Sequence, residues 1–255
     1  MLSVTAQTQR PRQHSEARSL LERPTWGAAM PPRKRKGRPG PSAPTPFPWD
    51  QGPRAKQRID TNFRSVRAAA AQAALEGCRP TESAVRSWHV LSLQGVALAE
   101  PAVAGGFRGE GPPGSRLADS FALIGLATGE MPSRVVPRVA ETLATLANRL
   151  DALDARLMGG ENHPDIYPDV IELCAWLHGE WVRIHPFADH NGSTARLLTM
   201  SVGLLYNVPL NLPGKPRSAM PEPGLELGYG NAAIAQMYGN DHAMIAFLHR
   251  IASAA

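Results

Sequence analysis

Residues 184–198 read Ile-His-Pro-Phe-Ala-Asp-His-Asn-Gly-Ser-Thr-Ala-Arg-Leu-Leu, the densest run of reactive side chains in the chain. His185 has an unperturbed pKa near neutrality and can take up a proton, which makes it a candidate general base. Phe187 is the one large apolar group before the polar run, an anchor for the backbone that aims His185. Asp189 offers a hard oxygen ligand for a Mg²⁺ carrying phosphates, because that ion takes one or two carboxylates and keeps several waters. Asn191 and Gly192 form a turn-like pair ahead of good helix formers, with Asn191 as candidate N-cap. Unpaired N–H groups and the dipole at such a helix start favour an anion. Arg196, about one turn further on, can reach back to a phosphate oxygen. Two plainer readings stand beside this one. A lone His near an Asp is often structural, and Asn-Gly before a helix is a common cap and turn. A metal site from His178, His185, Asp189 and His190 is disfavoured, since His185 and His190 lie five apart across a proline, not at the i, i+4 spacing of a helical zinc site.

The run resembles the signature His-x-Phe-x-(Asp/Glu)-Gly-Asn-Gly-Arg-x-x-Arg of Fic (Fido) domains at His185, Phe187, Asp189, Asn191, Gly192 and Arg196. It departs from it at His190, where the family has Gly, and at Ser193, where the family has the first Arg. The resemblance implies an all-α domain, a Fic-type helical bundle with a short β-hairpin flap. It further implies transfer of the AMP part of ATP, or of another phosphate-linked group from a nucleotide donor, to a Ser, Thr or Tyr hydroxyl of a target protein. His185 would deprotonate the hydroxyl, Asp189 would hold Mg²⁺, Asn191 and Gly192 would cradle phosphates, and Arg196 would pair with the distal phosphate. Ser193 weakens the ATP assignment more than the fold. The alternative is a catalytically weak or inactive Fic-fold binding or regulatory module, for which His190 and Ser193 speak.

These residues need rigid neighbours. Ile166, Val170, Leu173, Leu177 and Trp181 mark a helix that delivers the chain to His185, and a second helix runs from Gly192 to about Tyr206. Before them, Val136, Val139, Leu143, Leu146, Leu150, Leu153 and Leu157 form the seam of a long amphipathic helix ended by Gly159-Gly160. Thr81 caps a further helix with Val85, Trp88, His89 and Leu93 as its buried positions. An alanine-rich helix is expected from about Ile59, with Asp60 or Thr61 as cap and Gly77 as stop. Its Glu76-Gly77 ending resembles the inhibitory helix of Fic proteins, whose Glu pairs with the second motif Arg, here Arg196. Between Glu100 and Arg116 the glycines make a segment that reads as mobile. Within it Gly106, Phe107 and Arg108 resemble the element before the Fic flap, with Ser120 to Ala127 as the return strand. Asn207 to Gly230 reads as a long surface connection, followed by helices at 231–238 and 241–253 that bury Met244, Ile245, Leu248 and Ile251. Tyr229 and Tyr238 are candidates to stack on a nucleotide base, with simple packing as the plainer role.

The chain of 255 residues, 43% hydrophobic, suits one catalytic-sized domain. Its net charge of +5 is unevenly spread. Residues 1–58 hold twelve Lys or Arg against three Asp or Glu, and residues 59–255 hold fifteen against nineteen. We therefore expect a disordered Pro/Arg/Lys-rich tail over 1–58, able to contact an acidic partner or nucleic acid, and a Fic-like domain over 59–255. Met30 is a candidate true start. No apolar run approaches the length of a membrane span, and two cysteines in unlike surroundings, Cys78 and Cys174, argue against a disulfide framework, so a cytoplasmic setting is expected. The sequence leaves a homo-oligomer or a regulatory partner open.

Overall fold

The computed structural model describes residues 52–124, 127–212 and 228–253, within the compact unit Pro44–Ala255. The expected tail as far as residue 51, Met30, and most of the connection after Asn207 lie outside the described residues. α1 (Pro53–Leu75) opens on a proline, whose missing N–H is no loss in the first turn. The expected start at Ile59 is thus too late: Ala55 and Ile59 are both buried, so the helix is already packed before the alanine run. It stops at Gly77 (φ 82°), where the N–H groups of Gly77 and Cys78 return to the carbonyls of Ala74 and Ala73. α2 (Glu82–Ser92) is capped as expected, Thr81 Oγ1 accepting from the Ala84 N–H at 3.2 Å.

Two two-residue strands follow, β1 (Leu123–Ile124) and β2 (Ala127–Thr128), paired antiparallel with Leu123 opposite Thr128. β1 lies in the stretch expected to be the return strand and β2 begins at its last residue, Ala127, so the hairpin is shorter and later than anticipated. Gly106, Phe107 and Arg108 do not belong to it.

α3 (Pro132–Met158) begins four residues before Val136, the first residue of the expected seam, and accommodates Pro137 near its start. Its buried stripe is Val135, Val139, Thr142, Leu146, Leu150 and Leu153, while Val136, Leu143 and Leu157 flank the core half-covered. α4 (His163–Ile184) starts in a capping box in which Asn162 and Asp165 satisfy each other's backbone N–H. It buries twelve of its residues and is the axis of the molecule: α3, α5 (Asn191–Leu205), α6 (Tyr229–Met237) and α7 (His242–Ser253) all pack on it. On α7 the buried residues are Ala243, Met244, Phe247 and Leu248, with Ile245 and Ile251 only partly covered. α1 and α2 cover the other side of α5, where Val66 and Ala70 meet Leu197 and Met200. Among the described residues no helix is long and apolar enough to cross a membrane.

Candidate active site

α4 ends because His185 turns left-handed (φ 53°, ψ 57°), its N–H still bonded to the Trp181 carbonyl at 3.0 Å. The chain then makes a tight loop and re-enters a helix after His190, which is also left-handed (φ 61°, ψ 13°). Asn191 holds the loop closed. Its side-chain oxygen accepts from the Phe187 N–H at 2.8 Å and its side-chain nitrogen donates to the Phe187 carbonyl at 2.9 Å. The residue that caps α5 is therefore His190, and Asn191 is a buried loop clamp at the first helical position instead of the expected N-cap.

Phe187 is fully buried and stacks face to face on His89 of α2 at 4.0 Å, with Phe107 and Trp181 on its other sides at 5.0 and 6.3 Å. His89 was legible only as a core position. Here it carries the anchor, and its Nδ1 accepts the Gly105 N–H at 2.9 Å, which identifies the neutral ring. Burial pulls its pKa down to about 3, with His190 adding to the effect. The glycine-rich segment expected to be mobile is pinned from α2: Arg86 donates to the Gly105 carbonyl and to Glu110, and Glu110 in turn accepts the Phe107 N–H at 2.8 Å.

Arg108 lies ahead of the hairpin and is bonded to the residues that flank it. Fully buried, its guanidinium donates to four backbone carbonyls: His185 at 2.6 Å, Ile184 at 2.7 Å, and Ser120 and Glu130 at 2.9 Å. Its own N–H reaches the Pro186 carbonyl at 2.7 Å. Burial lowers its pKa, and only the charge of Glu130 opposes this. Arg108 thus ties the carbonyl end of α4 to both sides of the hairpin. Gly129 completes the junction, since a Cβ there would sit 3.0 Å from that of His185 and 3.1 Å from the guanidinium.

His185 is half-buried and its Nδ1 lies 3.3 Å from the Val182 carbonyl. A proton held there puts the basic lone pair on Nε2. Asp189 is exposed at the far bend of the loop, one carboxylate oxygen accepting the His190 N–H at 2.7 Å. It is the motif residue able to offer an oxygen to a divalent cation. Gly192 sits in the first turn of α5 with open space over it, a Cβ meeting only Arg196 at 3.7 Å. Arg196 donates to Ser193 Oγ at 3.1 Å and to the Tyr229 hydroxyl at 3.4 Å. Tyr229 is therefore not a base-stacking platform: it is buried, its hydroxyl shared between Arg196 and His178, while Tyr238 is exposed. Arg67 of α1 lines the same small pocket as Arg196, with Phe63, Leu197 and Leu212, a proximity across more than a hundred residues that no motif announces.

The structure does not bring Glu76 to Arg196. Glu76 is exposed and accepts from Gln72, at the end of α1 remote from the loop. Position 60 of the same helix is the one whose charge reaches His190, and sixteen residues of α-helix separate the two by about 24 Å.

Behind Arg196 a buried chain of polar groups runs through α4 to α7. His178 bonds Tyr229 at 3.0 Å and Gln236 at 2.7 Å, and Gln236 donates to the Ala175 carbonyl and to Asp241. Burial lowers the His178 pKa to about 4. In an unfolded chain an imidazole titrates near 6.5, so between about pH 6.5 and 4 the unfolded state binds more protons and stability falls as the pH falls. Urea midpoints should therefore drop across that window, and His178→Gln, which cannot charge, should drop less than the parent. An equal slope would show that His178 is not a source.

Residues 81–202 match the model of the Fic/DOC family. The match runs from the cap of α2 into α5 and includes every motif residue, leaving α1, α6 and α7 outside it. Among solved structures, a Fic domain containing signaling protein from Bacteroides thetaiotaomicron aligns over 80% of this chain and 75% of its own, at 18% identity and a TM-score of 0.50. The BepC protein of Bartonella tribocorum, a VirB-translocated effector with bound AMPPNP, aligns over 78% and 86% at 14% identity and a TM-score of 0.49. No curated protein matches the chain.

Proposed function

We propose that the loop from His185 to Arg196 is the active site of a transferase that moves AMP, or another phosphate-linked group, from a nucleotide donor to a Ser, Thr or Tyr hydroxyl of a protein. The observation that carries this is the clamp of Asn191 on Phe187, which holds a half-buried imidazole at one end of a closed loop and a helix N-terminus at the other. In this reading Nε2 of His185 removes the hydroxyl proton and the oxygen attacks the donor's α-phosphorus. The bond to the bridging oxygen breaks, and pyrophosphate leaves when the donor is a triphosphate. Asp189 would hold Mg²⁺, which neutralises phosphate charge when bound. The first N–H groups of α5 would receive the phosphates, and Arg196 would exchange its bonds to Ser193 and Tyr229 for a terminal phosphate oxygen. Replacing the first motif Arg by Ser193 leaves fewer cations for a triphosphate, which favours a donor with less terminal charge. Two free cysteines, one of them exposed, fit a reducing cytoplasmic setting.

The second reading, a binding or regulatory module on the same fold, draws on His190, a bulky residue at a positive φ where the family uses Gly. Incubation of the purified chain with Mg²⁺ and a panel of nucleotide donors, followed by intact mass, separates the two. The transferase reading expects a covalent adduct whose rate falls at least about a hundredfold in His185→Ala. Silence across the panel would leave the binding module.

A further inference from the structure

α1 packs along α5, and the two keep step: the charge of Asp60 on α1 reaches His190, just before α5, and seven residues on Arg67 lines one pocket with Arg196. The rest of that pocket is apolar, with Phe63, Leu197, Met200 and Leu210 among its walls. Two half-exposed guanidiniums therefore share surroundings that screen charge less than water does, and they repel each other there. Among the described residues neither is balanced by a carboxylate. Arg67 donates to the side-chain oxygen of Asn211, and Arg196 to the hydroxyls of Ser193 and Tyr229, the latter at a long 3.4 Å. Arg79, Arg86, Arg138, Arg156 and Arg183, by contrast, all pair with Asp or Glu. Two cations left with neutral partners at one opening point to an anionic ligand.

We infer that Arg67 joins Arg196 in holding the terminal phosphate group of the nucleotide donor, and so supplies from α1 a cation that Ser193 cannot. The identity of the anion rests on the transferase reading. The pocket between the two side chains is no larger than a water, about 10 Å³, so the phosphate lies across its mouth with one fork on each side. Arg196 spans the way to the loop, since one of its terminal nitrogens is 3.7 Å from where a Cβ on Gly192 would stand. The phosphates thus run from the first turn of α5 to the pair of guanidiniums. A terminal phosphate carries about −1.5 to −2 charges at neutral pH, which two guanidiniums balance and one does not.

Inorganic pyrophosphate is the probe, titrated by calorimetry into the full-length chain without Mg²⁺, and it should bind saturably. Arg67→Gln should fold like the parent, because the side chain is half-exposed, and should weaken binding about tenfold, the worth of one charge-assisted hydrogen bond. Arg67→Lys keeps the charge without the fork and should lose less. Arg64→Gln removes an exposed cation of the same helix, bonded to the Asp60 carbonyl, and should change affinity by less than about twofold. In Arg67→Gln/Arg196→Gln the combined loss should fall short of the product of the single losses, because both forks grip one phosphate. Unchanged affinity in Arg67→Gln, losses that multiply in the double variant, or no binding to the parent chain would overturn the assignment. The nucleotide panel separates it from the reading it rests on. No adduct, with pyrophosphate still bound through Arg67, removes the transferase and leaves the anion site. An adduct whose donor KM, like the pyrophosphate affinity, is unmoved in Arg67→Gln removes the site and leaves the transferase.

Discussion

Replacing Arg108 by Met is expected to lower the unfolding free energy by about 3–5 kcal/mol, the range for removing a buried charged partner. Methionine refills the volume, so the loss comes from the four carbonyls that the guanidinium serves. Those of Ile184 and His185 are at the carbonyl end of α4, where the helix supplies no donors of its own. Those of Ser120 and Glu130 flank the hairpin. Arg108→Lys retains charge and one donor head but not the planar fork, and should fall between the two. Urea unfolding measures all three proteins, and a loss below about 1 kcal/mol in Arg108→Met would show that water replaces the guanidinium without difficulty.

The second large effect is expected at Phe187. Truncation to Ala removes a ring enclosed by His89, Phe107 and Trp181 and should cost about 3–5 kcal/mol in stability. It should also reduce any transfer activity by more than the unfolded fraction explains, because the Asn191 clamp acts on the backbone of this residue. Phe187→Leu separates the contributions. It restores much of the volume, so most stability should return. Activity should return with it if the ring is only an anchor, and should stay low if the stack on His89 sets the loop's orientation. Chemical denaturation alongside the intact-mass assay reads both quantities.

Much of this site was legible from spacing alone. The motif positions from His185 to Arg196 are consecutive in the chain, so one loop must hold them together, and the apolar periods on either side announce the helices that bracket it. Thr81 was readable for the same reason, a local hydrogen bond between neighbours. What escaped depends on contacts distant in sequence. Arg108 meets carbonyls more than seventy residues away, and a basic residue in a glycine-rich stretch gives no sign of burial. Glu76 matched a short local pattern, but which end of α1 faces the loop is decided by how Val66 and Ala70 seat on α5. The early start of α1 was hidden because Pro53 looks like tail composition until its place in the first turn is known.

Both bends of the loop are made by histidines in the left-handed region, His185 at 53° and His190 at 61°. An L side chain there costs roughly 1–2 kcal/mol, of which glycine would recover up to about 1 after its own entropy is counted. Mutation filtered only for a well-folded product would therefore carry these positions away from imidazole. A library randomised at position 185 and sorted for soluble expression alone should enrich glycine and asparagine. Enrichment of histidine in that sort would mean that the ring is kept for the fold and owes nothing to chemistry.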